Sequence, residues 1–176
     1  MSGGLPLGIA SRRDQSVSAI LKAAGTLRAF IAGVERAMPH WLFKSEPSTW
    51  SWQQQCDAGD KGTHWNGVRN HGAKLNLMAM KIGDRGFFYH SNEGKEIVGI
   101  VEVIKEYYPD HTDASGRFGM VDVKAVEALP QAVTLEVIKM DPALKDMVLV
   151  NNSRLSVQSV TDAEWTHILR MGGLKG

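Results

Sequence analysis

Two long runs of alternating apolar and polar residues, divided by a single polar loop, commit this chain to β-structure. In residues 97–108, Val98, Ile100, Glu102 and Ile104 keep one phase, and in 118–129 Val121, Val123 and Ala125 do the same. A period of two marks a half-buried strand. Residues 109–116 between them carry the Pro, Asp and Gly of a loop. Shorter strands are expected at 41–45, 85–91 and 154–160, with turns at Ile82-Gly83-Asp84 and Glu93-Gly94.

Helical segments fall between these strands. Ser48 or Thr49 is expected to cap a short helix over 52–58 that Gly59 stops. Residues 68–80 read as a helix with Leu75, Leu77, Met78 and Met80 partly buried, and 135–139 and 142–147 as short helical turns. Thr161 caps a closing helix through Met171, with Glu164 completing a capping box and Gly172-Gly173 ending it. About five strands interrupted by short helices give an α+β, mostly β, fold: a small, mostly antiparallel barrel with peripheral helices.

The chain has 176 residues, the size of one domain with a buried core. Residues 1–37 stand apart. They hold Arg12, Arg13, Lys22, Arg28 and Arg36 against Asp14 and Glu35, with a possible helix over 16–34. This basic, acid-poor character is that of a transit segment. The adopted reading is an N-terminal extension, disordered or upstream of a true start at Met38, with the folded domain over 38–176. A single cysteine, Cys56, allows no internal disulfide and suits a cytoplasmic setting. No apolar run has the length of a membrane span, and a monomer is expected.

Residues 38–176 carry 15 basic and 17 acidic side chains, a net charge of −2. Such a body does not bind nucleic acid by bulk electrostatics, so any contact of that kind is local or specific to one group. Enzyme signatures are missing. The six histidines show no metal-ligand spacing, there is no Gly-rich phosphate loop and no G-x-S-x-G elbow. Cys56 lies in an expected helix beside Asp57, which raises a thiol pKa. No cofactor is expected.

Three segments carry recognition chemistry: Trp41-Leu42-Phe43-Lys44-Ser45-Glu46-Pro47, His64-Trp65-Asn66-Gly67-Val68-Arg69-Asn70 and Phe87-Phe88-Tyr89-His90-Ser91-Asn92. Each sets aromatic rings beside short polar side chains, as a pocket needs that stacks a flat ring and reads its edge. Trp41 and Phe88 also suit a core. Trp65, in the polar stretch 62–67, is expected to face a ligand, so that Trp65→Ala removes binding and spares the fold; a core Trp65 would instead cost about 3–5 kcal/mol of stability on that change. Arg69 reads as a rim cation, as a solvated charge at a helix start or as a structural ion pair. Asn92 suits a pocket or ordinary turn chemistry. Arg154, Ser156 and Gln158 fall on one face of the expected last strand.

These stretches, with Gly83-Asp84, Ile97-Val98-Gly99-Ile100-Val101-Glu102-Val103, Tyr108-Pro109-Asp110 and Arg154-Leu155-Ser156-Val157-Gln158, resemble the EVE domain proteins over residues 39–173. That group includes bacterial single-domain forms and the thymocyte nuclear protein of animals. The resemblance implies a PUA-like pseudo-barrel and a non-enzymatic reader of a modified nucleobase, such as methylated or hydroxymethylated cytosine, or a modified RNA base. It implies a pocket wall of Trp41, Lys44, Ser45, Pro47, Trp65, Val68, Asn70, Ser91, Asn92, Ser156 and Gln158. Arg69, His90 and Arg154 would stand at the rim, toward phosphate. The chain departs from the family pattern at His71, Lys74, Phe118 and Ser159, which bears on ligand identity more than on fold. A reader of this size needs a partner to supply the response. The alternatives are an enzyme or accessory subunit acting on modified bases or nucleotides, with Glu46 or His90 as acid/base, and a small-molecule binder.

Overall fold

The computed structural model describes residues 39–175 of the protein, so the expectations for 1–37 lie outside the described residues. Six strands form one sheet: β1 His40–Ser45, β2 Thr63–His64, β3 Arg85–His90, β4 Glu96–Pro109, β5 Gly119–Thr134 and β6 Val157–Val160. Their order is β2-β5-β4-β3-β1-β6. Five short helices accompany them: α1 Trp52–Asp57, α2 His71–Ala79, α3 Leu135–Met140, α4 Val148–Asn151 and α5 Asp162–Met171. The sheet is mixed. β1 and β3 run parallel, because α1, β2 and α2 intervene between them, and the other pairings are antiparallel. The mostly β, α+β architecture that the sequence implied is therefore present.

At β1 the sheet is covered on both faces. Trp41, Leu42 and Phe43 of β1 are all buried, yet they point to opposite sides, as alternation demands. Leu42 joins Phe87, Tyr89, Ile138, Trp165 and Ile168 in one core. Trp41 and Phe43 join Trp65, Leu77, Phe88, Val101 and Val121 in a second. A strand covered on both sides reads as a continuous apolar run, not as an alternating one.

Three expectations change. β4 keeps no single phase from end to end: its register against β5 shifts between Ile97 and Gly99 and again between Ile100 and Val101. Val98 therefore packs with the second core while Ile100 lies in the first. A bulge re-aims the side chains that follow it. The cap of α1 is Ser51, whose side chain accepts from the Gln54 amide in a capping box, in place of Ser48 or Thr49. The last strand begins only at Val157, so Arg154, Ser156 and Gln158 share no strand face: Arg154 is exposed and Gln158 fully buried. By contrast α5 has the expected Thr161–Glu164 capping box.

One glycine sets the position of β2. Gly62 has φ 61° and ψ −164°, a region essentially reserved for glycine. A Cβ there would overlap the Val123 carbonyl, next to the Thr63–Val123 pairing that defines β2. Gly62→Ala is expected to cost at least about 1–3 kcal/mol from backbone strain alone. Urea unfolding checks this, and an unchanged midpoint would show that the strand edge relaxes freely.

Candidate functional site

Where β1 ends, the chain turns sharply. The Glu46 carbonyl accepts from the Thr49 and Trp50 amides, and the Ser45 hydroxyl donates to the Trp50 carbonyl at 2.7 Å. Pro47 lies in this turn. Opposite, β2 continues into the segment before α2, and the Trp65 amide donates to the Val121 carbonyl at 2.7 Å. Between the two segments lies a cavity of about 540 Å³, within the range of small-ligand sites. Lys44, Ser45, Glu46, Thr49 and Trp50 line one side; Thr63, His64, Trp65, Asn66, Gly67 and Val68 line the other, and Ser156 completes the wall.

The indoles play different parts. Trp65 is only 7% exposed and meets Phe43 and Phe88 edge-on, with ring centres 5.2 and 5.6 Å away. It is the cavity floor and a core residue together, so the expectation that its loss spares the fold is corrected. Trp50 is half-buried, and its Nε1 donates to Gln55 Oε1 at 2.9 Å, which fixes the ring. Lys44 shares a strand face with Leu42. Its Nζ lies 5.9 Å from the Tyr89 ring centre and donates to the Ser153 carbonyl at 3.0 Å. Burial pushes its pKa down to about 8. Its charge tethers the 152–156 loop that carries Ser156.

A buried clamp shapes the other wall. The Asp110 side chain is fully buried. One oxygen accepts from the Gly67 amide at 2.9 Å and from Arg69 Nη1 at 2.7 Å. The other accepts from the Thr112 amide and hydroxyl, each at 2.7 Å. Burial alone would raise this carboxyl's pKa. The bonds from Thr112, Arg69 and Gly67 outweigh it and hold the group well below the usual carboxylate range.

Of the residues expected at the site, the structure brings Lys44, Ser45, Trp65, Val68 and Ser156 together at the cavity. The others have other places. Trp41 is core, its Nε1 donating to Asp84 Oδ2 at 3.1 Å. Asn70 caps α2, its Oδ1 accepting from the Ala73 amide. Arg69 is in the ion pair just described. His90 is not a rim cation: its Nε2 accepts from the Trp52 amide at 3.1 Å, and burial lowers its pKa despite Glu96. The Ser91 amide donates to the Ser45 carbonyl. Asn92 takes φ 64° in a turn, a conformation Asn tolerates. Gln158 holds the Asn152 and Leu155 carbonyls through its Nε2, and Arg154 is exposed.

Thr49, Trp50, Thr63, His64, Asn66 and Gly67 line the cavity outside the expected wall, as does Glu46, expected only as an acid/base. The signal for Trp50 is a tryptophan directly after Pro47-Ser48-Thr49, and for His64, Asn66 and Gly67 it is their place in the segment around Trp65. Among the described residues no group of three or more His, Cys, Asp or Glu side chains could hold a metal. The Cys56 thiol has its pKa raised by burial and by Asp57, which leaves it a weak nucleophile.

The EVE domain family model matches residues 39–171. Thymocyte nuclear protein 1 of Gallus gallus is 37% identical over 164 residues, covering 75% of this chain and 68% of that protein. A crystal structure of a protein from Agrobacterium tumefaciens is 52% identical with a TM-score of 0.75, covering 77% of this chain and 94% of its own. The structure of human THYN1 in complex with 5-methylcytosine-containing DNA is 32% identical with a TM-score of 0.72, covering 78% and 99%.

Proposed function

The chain belongs to the EVE domain family, and from that membership and its cavity we propose that it is a binding module for a modified nucleobase in DNA or RNA, working as a monomer and not as an enzyme. The observation that carries this reading is the cavity itself. Two indoles, Trp50 and Trp65, stand with the hydroxyls of Ser45, Thr49 and Thr63 and the amide of Asn66 around about 540 Å³, on a domain of net charge −2. The human relative's complex with 5-methylcytosine DNA supports it.

The energetics are balanced closely enough for selection. Taking a base out of a stack costs a few kcal/mol. Stacking on an aromatic wall returns about 1–3 kcal/mol. An added methyl buried in the cavity contributes about 0.8 kcal/mol more, and a polar modification gains further selectivity if a hydroxyl or amide of the wall bonds it. Modified and plain bases then differ by severalfold to tenfold or more.

The test is a titration against short single- and double-stranded DNA and RNA bearing plain, 5-methyl- or 5-hydroxymethyl-cytosine or N6-methyladenine. One modified form is expected to bind in preference. Trp50→Ala is expected to weaken that form by about 1–3 kcal/mol, fivefold to more than a hundredfold, and urea unfolding reads separately the stability lost because the partly buried ring packs against the second core and holds Gln55. Equal affinity for every oligonucleotide would refute the reading, and undiminished affinity in Trp50→Ala would remove that ring from the wall.

A further inference from the structure

One lip of the cavity holds Glu46 and Thr49 beside Lys44, whose ammonium is bonded to the Ser153 carbonyl. At the other the chain leaves the wall through Gly67 and Val68, continues as Arg69 and α2, and faces the loop between β4 and β5. Cations gather here around one ring. The Arg69 guanidinium carbon is 5.7 Å and Lys74 Nζ 5.9 Å from the ring centre of Phe118, which is only 8% exposed. The Lys74 ammonium also donates to the Arg117 carbonyl at 2.5 Å.

The acids of this loop are turned inward. Asp110 closes the Gly67–Arg69–Thr112 clamp. Asp113 accepts from the Ser115 hydroxyl and the Phe118 amide. Among the described residues neither Lys74 nor Arg117 has a carboxylate within ion-pair distance. A domain with more acids than bases thus keeps Arg69 and Lys74 against one buried ring, with Arg117 beside that ring in sequence, its exposed guanidinium donating from Nε to the Ser115 hydroxyl at 3.3 Å.

We propose that this lip binds the sugar-phosphate backbone next to the base in the cavity, with Lys74 and Arg117 as its phosphate contacts. The strand then crosses on the Phe118 side and not over Glu46. The inference rests on the cavity being a base pocket, since a base seated there stays tethered to phosphates that must lie at the rim. Phosphate neutralisation releases counterions, which makes this lip measurable apart from base selection.

The experiment follows affinity against salt concentration for the wild type, Lys74→Ala, Arg117→Ala and Lys139→Ala in α3, using one oligonucleotide in modified and plain forms. Lys74→Ala and Arg117→Ala are each expected to reduce the slope of log affinity against log salt by about 0.7–0.9. Both forms should weaken equally, so their ratio holds, and Lys139→Ala should match the wild type. Circular dichroism checks that the variants fold. Unchanged slopes in both lip variants, or binding that ignores salt altogether, would overturn the lip. Equal binding of modified and plain forms with the slopes still falling would support the lip while refuting the base-reading cavity.

Discussion

Trp65→Ala is expected to lower the free energy of unfolding by about 3–5 kcal/mol and to abolish ligand binding in the same step. The indole is 7% exposed and wedged edge-on between Phe43 and Phe88. Its removal leaves a hole beside Phe43 and Phe88, whose strands β1 and β3 cannot close in without breaking ladders. The transfer and cavity terms therefore add. The same hole opens the cavity wall that Trp65 forms, so a base seated there would lose the surface beneath it. Urea unfolding and an oligonucleotide titration well below the midpoint measure the two effects separately. A stability loss under about 1 kcal/mol would show that the ring packs outside the core. Full stability loss with binding intact would show that it is not the floor.

Asp110→Ala is expected to cost about 3 kcal/mol. The carboxylate is buried and accepts four hydrogen bonds. Without it the Gly67 and Thr112 amides lose their acceptor. Arg69, 40% exposed, is partly rehydrated, so its share of the loss is small. The pH dependence carries a definite sign. Because the folded-state pKa lies below the unfolded one, this stabilisation is complete above about pH 4, the unfolded carboxylate value. It is lost as pH falls from there toward the folded value, where the unfolded chain binds the extra proton.

Asp113, held at about 2 by the Ser115 hydroxyl and the Phe118 amide, titrates in the same window. The difference between wild type and Asp110→Asn, followed as melting temperature from pH 6 to 2, therefore isolates Asp110. The two curves should converge as pH falls. Curves that stay parallel to pH 2 would show that Asp110 is not held ionised by the clamp. Since the clamp also fixes Gly67, binding should weaken in Asp110→Ala at neutral pH.

What was legible in the sequence had local causes. The Thr161–Glu164 box is a contact between residues three apart, and a pattern of that span can be read without a fold. The long strands β4 and β5 announced themselves because their outer faces are partly solvated. β2 did not. It is two residues long, and Thr63 and His64 are a strand only because Val123 and Asp122 lie alongside. The hidden change of face in β4 likewise comes from pairing, since nothing in the residues 97–104 shows which neighbour β5 will offer.

The site divides along the same line. The sequence by itself determined the family, the mostly β fold and the neighbourhoods that would carry aromatic and polar groups, because these rest on residue types in order. Only the tertiary structure decided which of those groups share a cavity. Trp41 and Trp65 follow similar polar-aromatic patterns, yet one donates to buried Asp84 and the other floors the cavity. Asn70 and Gln158 have the amides a base edge needs, but those amides hold a helix cap and a loop. A side chain has few donors and acceptors, and which partner takes them depends on segments distant in sequence: Asp110 reaches Gly67 and Arg69 across more than forty residues. The order of the residues sets what each can bond, and the packing of the sheet sets what is left to meet a ligand.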